Sequence, residues 1–171
     1  YNGEPCHCAL CYEAFRGWLK EKYTSLENLN YAWWAQFWSH TFTDWNQIRP
    51  LDESIHGLML DWKRFNSDQT INFFKEECKS LRQITPHVPI TTNFVGFSNT
   101  LDYWKFAGEV DVVSWDSYPD YHDRPEDWLN AVKTSFLHDL NRSFKKKPFM
   151  LMECSPSVTN WKAVNKLKRP G

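Results

Sequence analysis

Apolar positions recur with a helical period through the first half of the chain and gather into short extended runs in the second. Phe15, Trp18 and Leu19 set apolar bulk at helical spacing within Ala9–Tyr23, which predicts a first helix. Thr24 with Glu27 reads as a capping-box start for a second helix over about residues 24–37. A polar, irregular stretch over residues 39–51 separates it from the longest helix, predicted over about residues 53–84. There, Leu58, Trp62 and Phe65 form one apolar stripe, and Phe74, Cys78 and Leu81 form another. Pro86 ends the pattern. Beyond it, PITTNFV (residues 89–95) predicts a strand, residues 99–110 a helix, and DVVSWDSYP (residues 111–119) a second strand. Pro125 opens a helix lasting to about Phe144. PFMLMEC (residues 148–154) is nearly continuous in apolar residues, as a strand buried on both faces should be.

Strand, helix, strand, helix, strand implies parallel βαβ units, and so an α/β fold. A doubly wound sheet and part of a (β/α)8 barrel both fit that order. The strand ends favour the barrel. Asn93 follows the first strand, Asp116 and Tyr118 the second, and Glu153 the third. Barrel enzymes present their functional groups at successive strand C-termini. A closed barrel of this kind needs eight strands, so the chain is expected to be part of one catalytic barrel domain. Residues 1–51 are expected to be a cysteine-containing helical insertion within it.

Composition narrows the function. Aromatics make up 17% of the 171 residues, enough to serve both a core and flat platforms for sugar rings. A net charge of −1 offers no field for nucleic acid or an anionic membrane. No stretch approaches the ~20 apolar residues of a membrane span. The basic run Lys145, Lys146 and Lys147 reads as a solvated helix end opposing the macrodipole. Five cysteines, an odd number, suit a reduced compartment better than a disulfide framework. Cys6, Cys8 and Cys11 form C-x-C-x-x-C, three thiols that can converge on one Zn²⁺. Cys78 reads as a small core residue, Cys154 as packed or inert, and the pair His138 and Asp139 as capping or packing groups. Glu153 is the central candidate for chemistry: a carboxylate ending a buried strand is costly to desolvate without a role or a partner, and the alternative is a glutamate paired to a neighbouring arginine.

Six segments, in order, resemble glycoside hydrolase family 42. They are CHCALCYEAFRGWLKEKY near the start, FWSHTFTDWNQI, LDWKRFNSDQ, TTNFVGF, VVSWDSYP and FMLMECSPSVTNW. The resemblance spans nearly the full chain and implies a partial barrel, from about the helix after strand 4 through strand 7 and its following loop. It implies a retaining β-galactosidase with no organic cofactor, acting on terminal β-D-galactosides through two carboxyl groups. Glu153 then is the nucleophile and Tyr118 a hydrogen-bond donor to it. Trp38 and Trp161 border the galactose subsite, and Asn93 supports the sugar or the carboxylate, while Asp116 reads as structural. The acid/base glutamate precedes the segment matching Tyr1-Asn2-Gly3, and Glu4 fits a variable turn rather than that role. The 171 residues by themselves are therefore expected to be inactive. A fourth cysteine ligand also lies upstream, leaving Cys6, Cys8 and Cys11 to be completed by His7, water or a neighbouring chain. The family further implies a homo-oligomer, often a trimer, and a bacterial cytoplasmic location. The competing reading is a non-catalytic carbohydrate-binding module with an aromatic sugar platform, for which Glu153 would be dispensable.

Overall fold

The computed structural model describes residues 5–51, 54–119, 127–154, 158–159 and 166–167. The chain divides into two compact units: residues 1–73 with 99–101, and residues 74–98 with 102–171. The first unit holds helices α1 (Ala9–Tyr23) and α2 (Leu26–Ala32), two 3₁₀ turns at Phe37–Ser39 and Trp45–Gln47, and most of α3 (His56–Ile84). Its core gathers Phe15, Leu19, Leu29, Trp33, Ile48, Ile55, Leu58, Trp62 and Phe65, so the first predicted stripe of α3 is buried as expected. Phe15 meets Trp62 edge-on at 5.0 Å between ring centroids, and Trp62 stacks on Phe65 at 5.4 Å.

The start of α2 differs from the prediction. Thr24 ends α1 with φ 63°, its N–H returning to the Lys20 carbonyl at 2.9 Å, and its hydroxyl turns to the Tyr23 carbonyl at 2.6 Å instead of capping the next helix. Ser25 caps instead, its hydroxyl accepting from the Asn28 N–H at 3.2 Å. The helix also stops at Ala32 rather than near residue 37. Asn30 pins the following loop by bonding both the carbonyl and the N–H of Phe42, at 2.8 and 2.9 Å.

One residue in the α3 stripe is charged. Asp61 is 1% exposed, yet it accepts from Lys22 Nζ at 2.5 Å, the Tyr23 hydroxyl at 2.6 Å, and Trp33 Nε1 and Arg64 at 3.0 Å each. Burial pushes its carboxyl pKa up, but the four donors outweigh that and hold it below the ordinary value. Burial, then the hydrogen bond to Asp61 and the Asp61 charge, pushes Tyr23 up to about 12. Gly57 leaves room for this cluster, because a Cβ there would stand 2.6 Å from the Trp33 ring.

The second unit contains a three-stranded parallel sheet in the order β1 (Asn93–Phe94), β2 (Ser114–Ser117), β3 (Met150–Cys154). Helices α4 (Tyr103–Ala107) and α5 (Asp127–Lys145) connect the strands in sequence, giving the predicted βαβ alternation. The ladders are shorter than predicted because hydrogen-bonded pairing, not side-chain character, sets strand length. Pro125, predicted to open α5, lies outside the described residues. Phe74, Phe94, Tyr103, Phe106, Val110, Val113 and Trp115 are buried. The second α3 stripe is buried only at its start, since Cys78 is half-buried and Leu81 is 47% exposed. Burial raises the Cys78 thiol pKa.

Two predictions fail here for stated reasons. The third strand is not buried on both faces: Met150, Leu151 and Met152 are 47, 41 and 44% exposed, because among the described residues β3 packs mainly along β2 and little else covers its faces. The basic run is not wholly solvated either. Lys145 Nζ reaches the Ala107 and Val110 carbonyls at 2.9 and 2.6 Å, closing the end of α4. After β3, the strands β4 (Val158–Thr159) and β5 (Lys166–Leu167) pair antiparallel, an element the sequence did not suggest.

Candidate functional site

Parallel pairing brings polar groups of β1, β2 and β3 alongside one another. Asn93 pairs with Ser114, Trp115 with Leu151, and Asp116 with Glu153. Strict alternation would put Leu151 and Glu153 on one face, as Cβ directions reverse at each residue. Their partners Trp115 and Asp116 are adjacent and so point to opposite faces. The register shift between Trp115 and Asp116 resolves this, leaving Met152 as the extra residue of a bulge. A bulge of this kind re-aims a side chain, and here it sets Glu153 opposite Asp116.

Asn93, Asp116, Tyr118 and Glu153 therefore meet. Asn93 Nδ2 donates to Asp116 Oδ2 at 2.8 Å and makes a longer contact to Glu153 Oε1 at 3.5 Å. The Tyr118 hydroxyl donates to the other Glu153 oxygen, Oε2. That carboxylate holds the Tyr118 hydroxyl up at about 12, so it remains a protonated donor through neutral pH. Burial raises the Asp116 pKa and the Glu153 charge adds to it, against the bond from Asn93. Asp116 is 8% exposed, and its Oδ1 has no hydrogen-bond partner among the described residues. Glu153 itself is exposed. One carboxylate accessible to a ligand and held by two neutral donors suits nucleophilic attack, while its buried neighbour suits orientation of Asn93.

Other candidates fall elsewhere. Trp38 lies in the first unit within Phe37–Ser39, and its side chain is outside what is described. Trp161 and Glu4 lie outside the described residues. In the first unit, Tyr31 and Trp34 are 89 and 74% exposed and line a groove of about 850 Å³. Cys154 is exposed beside Glu153 rather than packed. His138 is a packing group, its ring 5.3 Å from Trp115 and 5.2 Å from Phe149.

The three cysteine sulfurs lie within 4.8 Å of one another, with Cys8 and Cys11 3.6 Å apart. They fit three corners of a thiolate metal site, and no other His, Cys, Asp or Glu joins them among the described residues. His7 is engaged otherwise: its Nδ1 meets the Tyr12 hydroxyl at 3.1 Å and its ring lies 5.4 Å from Trp62. The Cys11 N–H, then the thiols of Cys6 and Cys11, draw Cys8 down to about 7. Sharing protons with Cys6 and Cys8 pushes Cys11 up to about 12.

Asp61 and its four donors escaped the sequence reading. Its signal was available: an acid three residues after Leu58 and four before Phe65 falls inside an apolar stripe, where a charge must be paired.

Comparison with known proteins finds similarity to beta-galactosidases over the whole chain. The family model of glycoside hydrolase family 42, described as beta-galactosidase, matches residues 1–171. The chain is 58% identical to beta-galactosidase BglY of Alicyclobacillus acidocaldarius, covering all of this chain and 25% of that protein. It is 53% identical to beta-galactosidase GanA of Bacillus subtilis, covering all of this chain and 27% of that one. Among solved structures, a cold-adapted beta-galactosidase from Rahnella sp. R3 superposes with a TM-score of 0.92 at 50% identity, over 98% of this chain and 26% of the other. A catalytic mutant of Gan42B, a beta-galactosidase from G. stearothermophilus, gives 0.89 at 54% identity over the same shares. The chain thus spans about a quarter of the length of the relatives it matches.

Proposed function

Because this chain belongs to glycoside hydrolase family 42, the β-galactosidases, whose structures are (β/α)8 barrels, we propose that the full-length protein hydrolyses terminal β-D-galactosides with retention of configuration. The observation that carries the reading is the Glu153 carboxylate at the end of β3, bonded by the Tyr118 hydroxyl and approached by Asn93. Glu153 attacks the anomeric carbon as the leaving group departs, forming a galactosyl-enzyme ester that water then hydrolyses. Tyr118 holds Oε2, which leaves Oε1 toward the sugar. Asp116 fixes Asn93, so that its amide can serve the carboxylate or the sugar. The acid/base carboxyl stands ~5–5.5 Å from the nucleophile in retaining enzymes and is assigned to sequence preceding Tyr1. Trp38 and Trp161 are assigned to the walls of the galactose subsite. The reaction requires no organic cofactor.

Further strands of the same barrel are assigned to cover the open edge of β3, and residues 1–51 to an insertion in that barrel. The 171 residues alone should then be inactive. Cys6, Cys8 and Cys11 are assigned to a structural Zn²⁺ with a fourth ligand outside the described residues; such an ion ties the chain locally and takes no part in hydrolysis. A homo-oligomeric assembly and a cytoplasmic location complete the reading. Among the described residues no helix is long and apolar enough to cross a membrane.

The test is intact-mass analysis of the full-length protein and its Glu153→Gln variant after incubation with an activated 2-fluoro-galactoside. The expected result is a covalent adduct on the parent, mapped to Glu153 and missing from the variant. An unlabelled, inactive parent would overturn the assignment and favour a non-catalytic sugar-binding role.

A further inference from the structure

Cys8 caps the N-terminus of α1 and Cys11 is the third residue of that helix, so the two side chains share one side of the first turn. Their sulfurs are 3.6 Å apart. A disulfide requires ~2.05 Å between sulfurs, and side-chain rotation can close that gap without moving the helix. Cys8 is exposed and Cys11 half-buried, so a reagent arriving from solution meets Cys8 first and leaves Cys11 as the sheltered partner. The Cys6 sulfur also lies within 4.8 Å of the other two, but Cys6 precedes the helix, so no shared helical turn sets its side chain against Cys11 as it sets that of Cys8.

We infer that Cys8 and Cys11 form an oxidisable dithiol, a thiol–disulfide exchange site for low-molecular-weight disulfides that competes with metal for the same sulfurs. The Cys8 thiolate attacks one sulfur of the small disulfide, forming a mixed disulfide and expelling one small thiolate. The Cys11 thiolate then attacks the Cys8 sulfur, forming the Cys8–Cys11 bond and expelling the second. Two electrons pass from the protein to the reagent, and the two thiol protons leave with the released thiolates or to solvent. The bond closes a very short loop, so it adds little conformational constraint, which keeps it reversible. Once formed, it removes two of the three thiolates that a metal ion would need, since only the thiolate is a ligand. A bound metal conversely protects the pair. The inference is independent of the galactosidase reading, because it concerns only the chemistry of the thiols.

The test uses the full-length protein stripped of metal with a chelator, treated with oxidised glutathione, alkylated and mapped by mass spectrometry. The expected result is a Cys8–Cys11 cross-link with loss of two hydrogens, reversed by dithiothreitol and suppressed by prior incubation with Zn²⁺. In the Cys11→Ser variant the reaction should stop at glutathione attached to Cys8, while Cys6→Ser should still cross-link. Persistence of free thiols at Cys8 and Cys11, a cross-link that includes Cys6, or indifference to Zn²⁺ would overturn it. The mapping of the unmutated protein decides the matter even if a variant folds poorly.

Discussion

Replacing Asp61 with alanine tests how much of the first unit depends on one buried charge. Four donors converge on its carboxylate, and the two cations among them keep 31% (Lys22) and 53% (Arg64) of their side-chain exposure. Water can therefore replace Asp61 at Lys22 and Arg64 at small cost. Trp33 Nε1 and the Tyr23 hydroxyl cannot be rehydrated so easily, and each unsatisfied buried donor costs about 1–3 kcal/mol. The 3.3 Å contact between Trp33 Nε1 and the Tyr23 oxygen recovers part of that loss. A destabilisation of about 3 kcal/mol results, the lower end of the 3–5 kcal/mol typical of broken buried pairs. The assay is denaturant unfolding of the full-length protein, with hydrogen exchange in α1 and α3 reporting the local loss. The pH dependence provides a second check. The folded pKa of Asp61 lies below its unfolded value of about 3.9, so its ionic contribution is present above that value and is lost as pH falls through the folded pKa. The gap between parent and variant should shrink over that acid range. A gap below ~1 kcal/mol at neutral pH, the level of an exposed ion pair, would refute the reasoning.

Three further outcomes are expected. Tyr118→Phe removes a hydrogen bond to a charged group, ~1.5–3 kcal/mol, and should lower kcat of the full-length enzyme by about 10–150-fold; unchanged kcat would deny Tyr118 its role at Glu153. Gly57→Ala drives a methyl into the Trp33 ring and should destabilise by about 1–3 kcal/mol as an overpacked site, whereas Gly17→Ala, where a Cβ meets nothing within 4 Å, should show no such loss in the same unfolding assay. Lys145→Met frees the Ala107 and Val110 carbonyls and should cost about 1–3 kcal/mol, with faster amide exchange at the end of α4; exchange at the parent rate would mean that water serves those carbonyls equally well.

Periodic apolar spacing made α1 and α3 legible, because a helix buries one face and records that face in its own sequence. Parallel pairing was legible for a similar reason: short apolar runs alternating with helices admit it and little else. Boundaries were less so. Whether Thr24 or Ser25 caps α2 depends on how α1 ends, which is a backbone conformation rather than a residue preference. Lys145 looked like any lysine in a basic run until the end of α4 was placed within its reach.

By itself, the sequence determined the family, the βαβ order, the three converging cysteines, and the placing of Asn93, Asp116, Tyr118 and Glu153 near strand ends. Each of these depends on residue type and local spacing. Only the tertiary structure decided that Glu153 stands opposite Asp116 and receives the Tyr118 hydroxyl, because that follows from one extra residue at Met152 in the ladder between β2 and β3. A one-residue shift in register changes the face of every side chain beyond it, and pairing between strands about 35 residues apart leaves no trace in either strand alone. The same holds for Asp61, whose charge is tolerable only because Lys22, Tyr23, Trp33 and Arg64 come to it through packing.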